Sequence, residues 1–371
     1  MSKIKDIETI IVSEELGIPD FGTSSDYLVV KVIDDADNYG IGYIPEIFRF
    51  TGKNNLGEIF NDIVKNLLGP YLVGKDADFI ESIWNDLFEK TTRWGRRGLM
   101  LAAIGVLDMA LWDLKGKILH KPIWRLLGAY RDTIPAYANT AHDLPPDDLA
   151  KKTLEYVEKG FDAVKIRGSL TAVPIDIATE RIRKVREAIG PDINLMVDLN
   201  GTYTFNQALR ALKKWEKFDL FWIEEPVHPD NLESYKRLKK EISIPIAAGE
   251  QHGTIFDFKQ LLESGAIDIV QPDVIYVGGV TEWLKVSAIA KAYGIPVSPH
   301  LNQIVSSHLV ASTANSMWIE YTAPDNPLGK TLNAVFSGPS QILHPLKGKI
   351  KLPETPGFGF EIRETISFKK T

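Results

Sequence analysis

Three short runs between residues 194 and 250 decide the fold: Asn194-Leu195-Met196-Val197-Asp198-Leu199-Asn200, Leu220-Phe221-Trp222-Ile223-Glu224-Glu225-Pro226 and Pro245-Ile246-Ala247-Ala248-Gly249-Glu250. Each is an apolar stretch of strand length that ends on an acid. Amphipathic patterns at Phe205–Lys217 and Asn231–Glu241 separate them. The same cycle continues in both directions. Strands are expected at Ile134–Ala138, Ala163–Ile166, Asn194–Val197, Leu220–Ile223, Pro245–Ala248, Asp268–Gln271, Ile295–Ser298 and Ser316–Ile319. Further helices are expected at Asp147–Lys159, Ile175–Ile189, Ile255–Ser264, Glu282–Tyr293 and Gln303–Ala314. Gly160, Gly190, Gly265 and Gly294 fall where helices should end, and Thr204, Thr254 and Thr281 where they should begin. Eight strands alternating with helices predict an α/β protein built on a (β/α)8 TIM-like barrel. A doubly wound sheet would call for a phosphate-binding glycine fingerprint, and no GxGxxG or GxxxxGK motif occurs.

Before the barrel, strand patterns at Ile4–Val12, Tyr27–Ile33 and Gly40–Ile44 precede helical ones at Gly57–Leu68, Asp78–Thr91 and Gly98–Leu119. This reads as an N-terminal α+β capping domain over residues 1–125, with the barrel over 126–339. The Pro- and Gly-rich segment 340–371 lacks the βα pattern and is expected to complete the cap. A length of 371 residues with 44% hydrophobic and 25% charged residues suits about two folded domains. The balance of 43 basic and 49 acidic residues, a net charge of −6, argues against a nucleic-acid or anionic-membrane binder. There is no cysteine, so any metal must take oxygen or histidine ligands. Ala292–Ile319 carries no formal charge, but its many Ser, His, Asn and Gln side chains exclude a membrane span. Met1–Glu15 is charged throughout and has no signal-peptide core, so a cytoplasmic protein is expected.

Barrels of this kind carry their chemistry at the C-terminal strand ends. Asp198, Glu224 and Glu250 come from three successive ends. Converging carboxylates repel unless a hard cation neutralises them, and an all-oxygen set suits Mg²⁺. The alternative is that each acid caps a helix or pairs with a surface base. Asp273 and His300 end the next two strands. A carboxylate beside an imidazole fixes its tautomer and raises its basicity, which makes a general base. Lys165 and Arg167, two apart on the second strand, point the same way and would meet an anionic substrate. Asn200, His142 and His252 are candidate substrate contacts near other strand ends. The loops Leu16–Ser25 and Ile44–Phe50 are expected to close over the site. Arg93, Trp94, Arg96 and Arg97 read as a solvated loop or a subunit contact, and Trp222 as packing.

The whole pattern resembles the enolase superfamily, and within it the mandelate racemase subgroup. The resemblance spans nearly the whole chain, from the cap through the helix Ala102-Ala103-Ile104-Gly105-Val106-Leu107-Asp108-Met109-Ala110-Leu111-Trp112-Asp113-Leu114 to the barrel. It implies that Asp198, Glu224 and Glu250 are Mg²⁺ ligands and that Asp273–His300 is the catalytic dyad. Glu320 matches an eighth-strand acid that hydrogen-bonds the substrate carboxylate. The implied chemistry is removal of a proton α to a carboxylate, giving a stabilised enediolate. Family members commonly assemble as homo-oligomers, from dimers to octamers. Many members carry Lys-x-Lys on the second strand, where this chain has Lys165-x-Arg167. Arginine is a poor base, which disfavours a two-base racemase or epimerase of a 2-hydroxy acid. The galactonate-type members place a histidine where Asn200 stands. The expectation is a sugar-acid (aldonate) dehydratase, a hydro-lyase acting on a small anionic substrate such as arabinonate, gluconate or galactonate. A barrel kept only for binding is the reading from another class.

Overall fold

The structure is a computed structural model that describes residues 2–14, 25–48, 56–140, 144–168, 173–338, 342, 344–363 and 369–370. The chain opens with three antiparallel strands, β1 (Ile4–Glu14), β2 (Ser25–Asp34) and β3 (Tyr39–Phe48). α1 (Leu56–Asn61), a π-helical stretch Asp62–Leu68 and α2 (Gly69–Leu72) follow. Then come α3 (Ile80–Thr91), the long α4 (Leu99–Ile118) and α5 (Ile123–Leu126). The α4 segment is largely apolar, and 14 of its 20 residues are buried. One face receives β3 at backbone contact: a Cβ on Gly40 or Gly42 would come within about 2 Å of the carbonyls of Ala110 and Val106. The opposite face meets the barrel.

The barrel strands are β4 (Thr133–Asn139), β5 (Ala163–Arg167), β6 (Asn194–Asp198), β7 (Leu220–Glu224), β8 (Ile246–Ala248), β9 (Ile269–Val270) and β10 (Ile319–Thr322). They pair in parallel in that order, and β10 closes on β4. The interleaved helices are α6 (Pro146–Glu158), α7 (Ile175–Ile189), α8 (Phe205–Trp215), α9 (Leu232–Glu241), α10 (Thr254–Glu263), α11 (Val280–Ala292) and α12 (Gln303–Ser312). Gly160, Gly190, Gly265 and Gly294 have positive φ just past their helices, as expected of C-terminal caps. Beyond the barrel lie α13 (Pro327–Val335), β11 (Phe336–Ser337), β12 (Lys349–Lys351), β13 (Glu361–Ile362) and β14 (Lys369–Lys370). β12 pairs with barrel strand β4, whereas β14 pairs with cap strand β1, so the C-terminal segment touches both parts. Among the described residues, no helix is long and apolar enough to cross a membrane.

Two strand expectations shift. The seventh position, Ile295–Ser298, is extended but makes only single bridges through Val297, to Val270 on one side and Ser316 on the other. The eighth strand pairs over Ile319–Thr322 rather than Ser316–Ile319, so Glu320 lies inside it. Its charge marked a strand end by pattern. In the fold that charge is buried and paired with Lys165, which removes the reason for the strand to stop.

Two helix starts also differ. Thr204 caps α8 with a full capping box to Gln207. Thr254 and Thr281 are not caps: both lie within their helices. The α11 start is capped by Asp108 of α4, which accepts from the Thr281 amide (3.0 Å) and hydroxyl (2.5 Å). The α10 start is capped by Glu282 of α11, which accepts from the Ile255 amide at 2.7 Å. In both cases an acid from a neighbouring helix replaces the local hydroxyl.

Candidate active site

Inward-facing side chains on a barrel strand recur every second residue. One layer is apolar: Tyr137, Ala163, Met196, Trp222, Ala247 and Ile269 form a sealed floor, with Tyr137 edge-on to Trp222 at 5.6 Å. Two residues further along the same strands come Asn139, Lys165, Asp198, Glu224 and Gln271, all buried. Glu250 lies just past β8, with the His300 ring beside it.

Asp198, Glu224 and Glu250 each offer an oxygen within 4.8 Å of the other two. Burial pushes the pKa of all three up. Lys165 opposes this for Asp198 and Glu224, and His300 opposes it for Glu250. One Glu250 oxygen is buried without a hydrogen bond. Three crowded hard-oxygen donors, one oxygen of which meets only His300 Nε2 at 3.4 Å, are a set that a small divalent cation fits. Asn200, in left-handed backbone, grips Asp198 through its amide N–H (2.9 Å) and its side chain (3.2 Å). Trp222 packs in the floor as expected, and its indole N–H also donates to Glu224 at 3.2 Å.

Lys165 is 1% exposed and sits 2.8 Å from Glu224 and 2.9 Å from Glu320. Burial lowers its pKa, but the attraction of these acids, of Tyr137 and of Asp198 outweighs this and lifts it well above the usual lysine value. Two carboxylates at contact distance thus favour the charged form of Lys165. Glu320 accepts from Asn139 (2.5 Å), Lys165 and the Leu301 amide (3.1 Å). Burial acts upward on Glu320, yet Lys165, His300 and the Leu301 N–H hold its pKa at about 2. Arg167 ends β5, in register with Asp198, whose charge it stabilises.

His300 and Asp273 are joined by a bridge between their strand ends and by a 2.8 Å bond from Nδ1 to the carboxylate. Nε2 faces Glu250 at 3.4 Å. Burial alone would lower the His300 pKa, but Glu250, Asp273 and Glu320 raise it well above its ordinary value.

The remaining expectations fare differently. His252 is buried against Phe258, faces Asp257 and Asp230 rather than the triad, and is pushed by burial to a pKa of about 4. His142, Leu16–Ser24 and residues 49–50 lie outside the described residues. Arg97 binds Asp230 and Asp257, while Trp94 is 75% exposed. Sequence reading missed Asn139, one residue past the expected end of its strand. It also missed Asn302, whose side chain donates to Asp273. The period-two rule would have flagged Asn139. Only the fold reveals Asn302.

A capped (β/α)8 barrel with three converging acids, a buried lysine and a histidine–aspartate pair at its mouth defines an enolase-like enzyme. Comparison with known proteins agrees. Residues 148–366 match the enolase C-terminal domain-like family, and residues 21–128 match the mandelate racemase / muconate lactonizing enzyme N-terminal domain. The chain belongs to the mandelate racemase / muconate lactonizing enzyme family of the enolase superfamily. It is 32% identical over 346 residues to an arabinonate dehydratase of Saccharolobus solfataricus, covering 91% of this chain and 89% of that one. It is 34% identical to an L-rhamnonate dehydratase of Saccharopolyspora erythraea, covering 96% and 87%. A solved racemase of Streptomyces coelicolor with bound magnesium superposes with a TM-score of 0.86 at 29% identity, covering 97% of each chain.

Proposed function

We propose that the protein is a Mg²⁺-dependent dehydratase of an aldonic acid, removing the C2 proton and the 3-hydroxyl to give a 2-keto-3-deoxy acid. The observation that carries this reading is the commitment of Lys165. Held between Glu224 and Glu320, its ammonium already has two carboxylate partners, which suits charge stabilisation better than proton abstraction. Arg167 stands where a second base would be needed. That leaves His300 as the single base, in the state where a cation on Glu250 would remove part of the negative charge that favours the imidazolium. One base suffices for elimination, whereas racemisation calls for one on each face. Two curated relatives named as dehydratases of sugar acids support the same class.

Asp198, Glu224 and Glu250 would hold the cation, which when bound supplies Lewis-acid stabilisation of the enediolate. Asp273 fixes the His300 ring so that Nε2 takes the C2 proton. Lys165 presents positive charge where negative charge develops, in a site walled below by the apolar floor. Glu320 holds Lys165 and the Leu301 amide in place. Protonated His300 then delivers its proton to the 3-hydroxyl as the C3–O bond breaks, and water leaves. Arg167 or a bound water is the weaker candidate for that acid. The enol product tautomerises to the keto acid.

The similarity to a solved racemase keeps a racemase or epimerase as the second reading. Solvent deuterium entering both enantiomers of a substrate without loss of water would favour it. The direct test is a screen of aldonates and aldarates with Mg²⁺, detecting 2-keto-3-deoxy products. Conversion of at least one aldonate is expected, and conversion of none would overturn the reading.

A further inference from the structure

We propose that Asn302 is a positioning residue for the histidine–aspartate pair, locking the Asp273 carboxylate so that the His300 ring can take only one orientation. The role assigned to His300 rests on the proposed function; the geometry of the lock does not. Asp273 is gripped from several sides. His300 Nδ1 contacts one oxygen, and the Ile275 and Tyr276 amides donate to the other at 2.7 and 3.4 Å. The Asn302 side-chain amide spans both oxygens, at 3.2 and 3.1 Å. A donor straddling the carboxylate resists its rotation, and a carboxylate that cannot rotate fixes the plane of the imidazole bound to it.

The local backbone argues that this contact is built in. Leu301 and Asn302 are consecutive non-glycine residues with left-handed φ, 40° and 51°. Such a pair persists only where its surroundings over-determine it. Here the Leu301 amide is anchored on Glu320 while the Asn302 side chain is anchored on Asp273. The turn His300-Leu301-Asn302 therefore ties together two acids on different strands. Asn302 is also the N-cap residue of α12, a position where asparagine normally accepts from the first free amides of the helix. It makes no such side-chain bond. Its amide is turned to Asp273 instead, at the expense of capping.

The experiment separates donor from backbone. Asn302→Gly keeps the left-handed turn accessible but removes the donor. Asn302→Asp keeps the shape and replaces the donor with a charge. With an aldonate that the parent enzyme converts, Asn302→Gly is expected to lower kcat about 10- to 100-fold. KM and Mg²⁺ affinity should stay within about threefold and the melting temperature should change little; Asn302→Asp should be at least as impaired. Independently of any substrate, the NMR resonance of the His300 Nδ1 proton should move or broaden in Asn302→Gly. If the parent converts no aldonate, the proposed function fails and the resonance alone decides. An Asn302→Gly protein with kcat within twofold of the parent, or with an unmoved Nδ1 proton resonance, would overturn the inference.

Discussion

Two layers of the barrel, one residue pair apart on the same strands, could hardly differ more. Tyr137, Ala163, Met196, Trp222, Ala247 and Ile269 are apolar and closely packed. Asn139, Lys165, Asp198, Glu224 and Gln271 stand directly above them and are polar or charged, yet just as buried. The lower layer supplies a dry, low-dielectric floor. The upper layer gains its strength from that floor, because charges over an apolar base interact more strongly than charges in water. It also carries the cost, since each charge must find its counterpart within the layer. Lys165 does this for the acids of three strands.

The contrast can be broken at the mouth first. His300→Asn should lower kcat by about 10³-fold or more while Mg²⁺ binding, read by calorimetric titration, survives. Near-native turnover would remove His300 from the chemistry. Lys165→Met extends the apolar floor upward and strands Glu224 and Glu320. Losing one partner of a buried ion pair should cost about 3–5 kcal/mol in urea unfolding without Mg²⁺. A stabilised variant would mean that the acids are not held by this lysine.

A buried histidine away from both layers serves as a control. His308 accepts from the Trp124 amide and donates to the Phe358 carbonyl, each at 3.2 Å, so it is held neutral. Burial lowers its pKa to about 3, against 6.5 when free. Above pH 6.5 it is neutral folded or unfolded and contributes no pH dependence. As pH falls below 6.5 the unfolded chain takes up a proton that the native state refuses. Its contribution then weakens by about 1.4 kcal/mol per pH unit, down to about pH 3. His308→Gln should flatten that slope in pH-dependent unfolding, and an unchanged slope would place the titration elsewhere. The smallest effect belongs to the Trp222–Glu224 bond that links the layers. Trp222→Phe should lower stability by about 2 kcal/mol through the lost indole–carboxylate bond, with Mg²⁺ affinity reduced in parallel. A change in stability with Mg²⁺ affinity unmoved would confine the role of Trp222 to packing.

Much of this was legible in the chain itself. The three acids could be read because each ends a short apolar run on a consecutive strand, a local pattern. The Asp273–His300 pair could be read for the same reason. What escaped depends on partners distant in sequence. Glu320 reads as a strand end because nothing near it in sequence reveals Lys165, and Thr281 reads as a cap because Asp108 is 173 residues away. Asn302 looks like an ordinary helix start until the backbone turns left-handed and carries its amide to Asp273. Local periodicity reports what a residue is next to along the chain, and these side chains answer to what the barrel brings beside them.

The pairing of β1 with β14 has a consequence for how the protein is made. Ile10 lies opposite Lys370, so the outer edge of the first strand waits on residues synthesised about 360 positions later. At bacterial-to-eukaryotic elongation rates that wait is roughly 20 to 70 s. Throughout it, β1 can pair with β2 but leaves its other edge open to any passing strand. The time for which this edge stays open to mispairing is therefore governed by translation as well as by folding.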